Sequence, residues 1–166
     1  MESCYNDYKY LYLVSDILEN KNFLEIEKCK HHGINRLEHS MRVSYYSYLI
    51  AKKLGFNYKE VARAGLLHDF FITDNSKNRT SGVSLVFHPY RSLENATNNF
   101  SLSDLEKDVI ISHMFPILPH RIPKYIESWL VNIVDDMVAV YEFYCSYGRS
   151  VVYKFANVYL ALLLIR

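Results

Sequence analysis

The segment Ala64-Gly65-Leu66-Leu67-His68-Asp69-Phe70-Phe71 decides the fold of this chain, because an apolar helical pattern ends there at an adjacent imidazole and carboxylate. Neighbouring side chains on a helix point about 100° apart, so His68 and Asp69 cannot share one helix face. Both can still point inward if the helix ends between other helices, where they could hold a metal ion from two sides. Gly65 lies at the spacing where helical side chains meet this pair, which leaves room for another helix or an ion.

Outside this segment the sequence predicts an all-α fold. Five glycines and four prolines in 166 residues leave long stretches uninterrupted, and most of them stand where a helix could end. Three polar pairs have the spacing of a helix-opening capping box: Asn35 with Glu38, Asn57 with Glu60, and Ser103 with Glu106. We therefore expect a helical bundle of about six to eight helices, given the usual helix length.

Helical periodicity places these helices along the chain. On the helix that Asn35 opens, His39, Val43, Tyr46, Ile50 and Leu54 form a stripe that predicts its buried face. Proline is favoured at the first helical position, so His88-Pro89 predicts a helix start, and the polar, turn-rich residues 72–87 predict a long loop. Helices are predicted over about 7–29 with a break near 20–22, and over about 35–54, 57–69, 88–100, 103–113, 124–147 and 151–165.

The charge composition argues against proteins that bind nucleic acid polymers or anionic membranes through their overall charge. Nineteen basic and eighteen acidic residues give a net charge of +1, which excludes the strong overall field that attracts nucleic acid polymers or anionic membranes. A chain of this length fits a single domain over residues 1–166. Any phosphate-binding surface must therefore be local.

The sequence also predicts a soluble cytoplasmic protein. Cys4, Cys29 and Cys145 are odd in number and widely spaced, which argues against a disulfide framework or a cysteine zinc site. Charged residues interrupt the N-terminal segment, where a signal peptide needs a continuous apolar stretch. The longest apolar run, Val158–Ile165, is far shorter than the roughly 20 residues of a membrane span.

Six side chains with metal-ligand chemistry lie on apolar faces or near helix ends. Asp135 falls within the apolar run 131–140, where an ionised carboxylate is costly without a cation or hydrogen bonds. A buried salt bridge with an arginine would also satisfy this aspartate, and any one histidine could be an ordinary core residue. Taken together, the six favour a divalent transition-metal site with nitrogen and oxygen ligands. They are His39, His68, Asp69, His88, His113 and Asp135.

The chain resembles the HD-domain metal-dependent phosphohydrolases, an all-helical superfamily. The resemblance rests on the order His39, His68-Asp69, Asp135, and on the segments Arg36-Leu-Glu-His-Ser-Met-Arg-Val43 and Ala62-Arg-Ala-Gly-Leu-Leu-His-Asp69. It covers roughly residues 31–145 as the HD core, which leaves 1–30 as N-terminal packing helices and 150–166 as a C-terminal helix.

The two additional histidines resemble those of the two-metal subgroup. That subgroup includes symmetrical dinucleoside tetraphosphate hydrolases and HD-GYP cyclic-dinucleotide phosphodiesterases. His88 and His113 occupy the corresponding places in chain order. The chain departs from these relatives in having Phe70-Phe71 after the HD pair, where some carry a nearby lysine, and in lacking a GYP tripeptide.

The resemblance implies a site with two divalent metal ions, drawn from Fe, Mn, Co, Ni, Zn or Mg. His39, His68, Asp69 and Asp135 would bind one ion, with Asp136 as the rival of Asp135. Asp69 would bridge to a second ion held by two further histidines, His88 and His113. His68 and Asp69 would form the catalytic centre, where metal-activated water attacks phosphorus.

A phosphoryl substrate also calls for cations near the site. The candidates are Arg36, Arg42, Arg79, Arg91, Arg121 and Lys124, with His120 as a weaker candidate for a substrate contact. Of these, Arg79, Arg91 and Lys124 are favoured. The leading hypothesis is a phosphohydrolase or phosphodiesterase for a small phosphorylated molecule, with nucleotides as the favoured class. The alternatives are an HD-type di-iron oxygenase and a non-catalytic module that binds metal or nucleotide as a regulator.

Overall fold

The structure, a computed structural model, describes residues 6–31, 34–72 and 82–148. In that part of the chain it contains seven α-helices, which confirms the all-α prediction and agrees with the expected count of about six to eight. The helices are α1 Tyr8–Leu18, α2 Lys21–Leu24, α3 Arg36–Leu54, α4 Tyr58–Leu67, α5 Gly82–Asn99, α6 Asp104–Ser112 and α7 Ile126–Phe143. A 3-10 turn, Glu25–Lys28, follows α2, and a π-helical segment, Tyr144–Gly148, follows α7.

The N-terminal helices follow the predicted pattern, including the break. Asp7 caps α1 by accepting hydrogen bonds from the backbone N–H groups of Lys9 and Tyr10, both at 3.1 Å. Asn20 ends the break by accepting from the N–H of Phe23 at 3.0 Å, which opens α2. The hydroxyl of Tyr10 donates to Ser44 Oγ on α3 at 2.8 Å, so α1 is fixed to the central helix by a buried hydrogen bond.

Side-chain caps open α3, α4 and α6 at the predicted residues. The side chain of Asn35 accepts from the N–H of Glu38 at 2.7 Å, but the Glu38 carboxylate bonds Arg42 instead of closing the box. Ser103 and Glu106 form the complete reciprocal capping box. The caps are Asn35 for α3, Asn57 for α4 and Ser103 for α6.

Two short strands stand before α3 that the sequence does not predict. Strand β1, Lys30–His31, pairs antiparallel with β2, Ile34–Asn35, and Lys30 lies opposite Asn35. Strands of two residues are too short to show the alternating pattern from which strands are predicted.

Close packing of α3 on α4 depends on Gly65. A Cβ atom at this position would lie 3.0 Å from the Cα of Ser44 on α3. Ser44 also donates from its hydroxyl to the carbonyl of Ala62 at 2.6 Å. The room left by Gly65 is therefore filled by the backbone of a neighbouring helix, one of the two occupants that the sequence allows.

We expect Gly65→Ala to destabilise the protein by about 1–3 kcal/mol, the usual cost of overpacking a close contact. Helix propensity alone would stabilise the variant by about 0.5–1 kcal/mol, so the sign of the change separates packing from propensity. Urea unfolding of wild type and variant measures the difference. An unchanged or increased free energy of unfolding would show that α3 and α4 can separate at little cost.

The predicted apolar stripe on α3 is correct at its start and wrong beyond Val43. Tyr46 is 48% exposed, Ile50 39% and Leu54 56%. The buried face instead follows a row of small residues together with Tyr48, and the close α3–α4 contact needs the small side chains. Its members include Ser40, Ser44, Ser47, Tyr48 and Ala51.

Helix α5 begins earlier than the sequence predicts. It runs from Gly82 to Asn99 with Pro89 inside it, so His88 lies within the helix and not at its start. Proline removes only one helical hydrogen bond, and the apolar sequence 83–87 continues the helix before it. The predicted loop is therefore wrong for residues 82–87, while residues 73–81 lie outside the described part of the chain.

The start of α7 is fixed by a buried carboxylate on α6. Asp108 accepts hydrogen bonds from the backbone N–H of Lys124 at 2.8 Å and from the Ser128 hydroxyl at 2.7 Å. Helix α7 is shorter than the predicted 124–147, and the π-helical segment that follows it ends at Gly148. The predicted last helix, 151–165, lies outside the described residues.

Helix α3 lies at the centre of the described core, in contact with α4 and α7, while α6 contacts both α4 and α7. One apolar cluster joins α1 to α3 and α4, and a second joins α3, α4, α6 and α7. None of the helices within the described ranges combines the length and apolar character that crossing a bilayer requires. The helix ends that carry His68 and His113 meet within this packing.

Candidate metal centre

The end of α4 presents His68 to the interior. His68 is the C-cap of this helix and is fully buried. Its Nδ1–H donates to the carbonyl of Gly65 at 2.7 Å. Burial opposes a charge on this ring, but the neighbouring Asp135 carboxylate outweighs burial and raises the pKa of His68. Nε2 makes no hydrogen bond with any described residue, and the Asp135 carboxylate oxygen Oδ1 lies 3.5 Å from it. A buried imidazole nitrogen without a hydrogen bond is the chemistry expected of a metal ligand.

His39, His68 and Asp135 form a first ligand group. Their donor atoms lie within 4.8 Å of one another. Nε2 of His39 is 2.9 Å from Oδ1 of Asp135, so helices α3 and α7 meet at this pair. The two imidazole ring centroids are 5.4 Å apart.

Asp69, His88 and His113 form a second ligand group, again with donor atoms within 4.8 Å of one another. All three residues are buried. Nε2 of His88 is 2.8 Å from Nε2 of His113 and 3.3 Å from Oδ1 of Asp69. Nε2 of His113 is 3.8 Å from the same oxygen.

The two groups are neighbours, and the same local device orients one histidine of each. His113 is the C-cap of α6, as His68 is of α4, and its Nδ1–H donates to the carbonyl of Ile110 at 2.7 Å. In both residues the acceptor is the carbonyl three positions earlier, which turns Nε2 towards the centre. The ring centroids of His68 and His113 are 5.0 Å apart. The six donors predicted from the sequence are thus brought together as two adjacent sets of three.

Electrostatics differ between the two groups. Burial opposes a charge on His39, but its contacts with Asp135 and Glu142 outweigh this and raise its pKa to about 10. Burial likewise opposes the charge on Asp135, yet His68 and His39 hold the pKa of its carboxyl well below the usual range. Burial, together with His68 and His88, lowers the pKa of His113 to about 3. The first group thus balances positive and negative charge, while the second keeps a neutral imidazole.

Asp136, the rival of Asp135, does not join either group. It is exposed, and burial of part of its surface together with the charge of Asp135 raises its pKa. The choice of Asp135 agrees with the geometry, because neighbouring residues on α7 face different directions.

The two favoured substrate-binding residues in the described part of the chain make no hydrogen bond or ion pair with either ligand group. Arg91 and Lys124 are exposed, and Arg79 lies outside the described residues. The backbone N–H of Lys124 donates to the Asp108 carboxylate just before α7 begins. Their substrate-binding role stays a prediction.

Arg36 is the cation that lies nearest the ligands in the described structure. It is buried, with Nε 3.7 Å from Oδ2 of Asp69, the oxygen not directed at the second group's histidines. Nη1 donates to the carbonyl of Phe71 at 2.5 Å, and the guanidinium lies 3.7 Å from the centroid of the Phe71 ring. The sequence names Arg36 among six candidates but does not favour it, since its burial depends on the turn after Asp69.

His120 and Arg121 converge on a different residue, Tyr90. The hydroxyl of Tyr90 lies 2.8 Å from His120 Nε2 and accepts from Arg121 Nε at 3.0 Å. Tyr90 follows His88 by two positions on α5. A role for this polar cluster in substrate contact stays a prediction.

Two polar residues that support the ligands were missed in the sequence. Glu142 is buried on α7, and its carboxylate lies 2.9 Å from Nδ1 of His39. Asn132 donates from Nδ2 to the carbonyls of His113 and Phe115, at 2.5 and 2.7 Å. Spacing places both on the helix face of Asp135, because they lie seven positions after and three positions before it, but spacing does not show which side chains they contact.

The sequence was compared with models of known protein families. The model of the HD domain family matches residues 36–137. This chain belongs to the HD domain family. All six candidate ligand residues of this HD domain lie within the matched range, whereas Glu142 lies beyond it. No curated protein and no solved structure matches the chain significantly.

Proposed function

We propose that this HD domain protein is a metal-dependent phosphohydrolase that acts on a small phosphorylated substrate, with nucleotides as the favoured class. The observation that carries the proposal is the pair of adjacent sets of imidazole and carboxylate donors, five of which are buried. Buried donors of this number need a cation or a complete hydrogen-bond network, and His68 Nε2 has no hydrogen bond within the described residues.

The donors fit divalent transition metals. Imidazole suits zinc, copper, iron and nickel, whereas carboxylates also accept magnesium and manganese. In the dinuclear interpretation, His39, His68 and Asp135 would hold one ion, and His88 and His113 would hold the second. Asp69 would serve both ions, as the resemblance implies; its Oδ1 lies 3.3 Å from Nε2 of His88, and its Oδ2 lies against Arg36. This interpretation follows the resemblance to the two-metal subgroup.

Two bound ions would supply an activated water and a clamp for phosphoryl oxygens. The residues of the chain orient the ligand side chains for this chemistry. Backbone carbonyls hold the rings of His68 and His113, and Arg36 lies against the Asp69 carboxylate. Burial strengthens every charge interaction, and fixed donors need no rearrangement when charge develops on phosphorus. No side-chain nucleophile is required.

Elemental analysis of protein purified without added metal, paired with an activity screen, tests the proposal. The screen covers nucleoside mono- and polyphosphates, dinucleoside polyphosphates and cyclic dinucleotides with manganese, iron or cobalt. We expect two metal ions per chain and metal-dependent hydrolysis of at least one substrate class. Protein that takes up no metal contradicts the proposal.

Two other outcomes identify the alternative functions. Metal and ligand binding without turnover indicates a regulatory module. Bound iron with a mixed-valence EPR signal and oxygen uptake indicates a di-iron oxygenase, because the same donor set also suits iron.

A further inference from the structure

Glu142 is a buried carboxylate that the ligand sets do not include. It lies in the last turn of α7 and is 1% exposed. Oε2 is 2.9 Å from Nδ1 of His39, and Oε1 accepts from Nη1 of Arg42 at 3.1 Å. Arg42 also donates from Nη2 to Glu38 at 2.6 Å, so it is held by two carboxylates.

The position of Glu142 relative to His39 has a direct chemical consequence. Nε2 of His39 faces Asp135 within the first ligand group, while Nδ1 faces Glu142. An imidazole can bind a metal through Nε2 only when the remaining proton is on Nδ1, and an acceptor at Nδ1 fixes that tautomer. A carboxylate acceptor also makes the ring a stronger ligand.

His39 differs in this respect from the two other ligands whose Nδ1 partners are known. His68 and His113 donate from Nδ1 to backbone carbonyls, which are neutral. His39 donates to a side chain that can be changed without altering the backbone. Its acceptor is in turn held by Arg42, which keeps the carboxylate directed at the ring.

We propose that Glu142 is a positioning residue of the metal centre, which holds His39 as an Nε2 ligand and strengthens its bond to the ion of the first group. Arg42 clamps Glu142 in this position. The inference rests on the proposed function, because it requires that the first group binds a metal. The rival explanation is a buried Glu142–Arg42 ion pair that stabilises only the fold.

The chain offers a matched control for this rival in Glu106. Glu106 is also buried, 3% exposed, and its Oε1 accepts from Nε of Arg63 at 3.1 Å. No histidine contact is seen for Glu106 among the described residues. Glu106→Gln therefore removes the same charge from the same kind of arginine pair without touching a ligand.

Metal affinity measured by calorimetry with Zn²⁺ or Mn²⁺ tests the proposal. We expect Glu142→Gln and Glu142→Leu to weaken binding by the first group about 10- to 100-fold, the usual effect of losing such a partner. The loss should be greater for leucine, because glutamine can still accept from Nδ1. Glu106→Gln should lower stability towards urea and leave metal affinity unchanged. Repeating the titration in the His113→Ala background assigns the change to the first group.

The outcomes separate this inference from the proposed function. Wild-type protein that binds no metal overturns both. Wild type that binds metal, with Glu142→Gln and Glu142→Leu binding it as tightly, overturns the role of Glu142 alone. An equal loss of affinity in Glu106→Gln would show a general effect of buried charge and would also overturn it. If the leucine variant does not fold, Glu142→Gln decides, since it preserves shape and one acceptor.

Discussion

His113→Ala is expected to bind one metal ion per chain where wild type binds two, and to lose most hydrolytic activity. His113 supplies a neutral Nε2 to the second ligand group, with its pKa lowered to about 3 by burial and by His68 and His88. Removing it leaves Asp69 and His88, which are too few protein ligands for a stable site. A lost ion removes several kcal/mol of transition-state stabilisation, which corresponds to about a 10³-fold decrease in rate.

Elemental analysis and phosphate release measure the two effects in the same preparation. His120→Ala is the matched control, because His120 is exposed and contacts Tyr90, outside both ligand groups. It should keep the wild-type metal count. A count of one ion in both wild type and His113→Ala would contradict the dinuclear interpretation and favour one ion held by His39, His68, Asp69 and Asp135.

The convergence of the six candidate ligands could be predicted from sequence, because several of them are polar or ionisable residues on otherwise apolar helix faces. Asp135 stands in an apolar run, and His39 and His113 lie on apolar sides of helices that polar caps delimit. A buried ionisable group needs a partner, so several such groups in one domain point to a common site. Gly65 was informative in a different way, because a residue without a side chain lets the backbones of two helices approach closely.

The supporting residues depend on how the helices face one another, which spacing alone does not give. Glu142 acquires its role only because α7 lies against His39 on α3. Arg36 looks like any basic residue until the carbonyl and ring of Phe71 bury it beside Asp69. The buried face of α3 was misjudged similarly, because its serines accept a close neighbour while the larger Tyr46 and Ile50 turn outward.

Asp135→Asn is expected to show the converse of His113→Ala, with loss of the first-group ion and retention of the second. An amide keeps the shape of the carboxylate but lacks the charge that attracts a cation to His39 and His68. We expect a decrease in activity of about 10³-fold or more, again from one lost ion. Asp136→Asn, at the exposed neighbouring position, should keep both ions and the wild-type rate. Loss of metal in Asp136→Asn, with none in Asp135→Asn, would reverse the assignment.

Asp135→Asn should also change how the free energy of unfolding of the chelator-treated protein depends on pH. The carboxyl of Asp135 has its pKa lowered in the folded state, so its contribution is present above the ordinary value of 3.8 and is lost as the pH falls through the folded pKa. His39 has its pKa raised to about 10, so its contribution is present below 6.5 and is lost as the pH rises through about 10. The stability difference between wild type and Asp135→Asn, measured by urea unfolding, should therefore be largest between these ordinary values and shrink towards pH 10. A difference that stays constant with pH would mean that Asp135 and His39 do not share this charge interaction in the metal-free protein, and it would contradict the pairing seen between Nε2 of His39 and Oδ1 of Asp135.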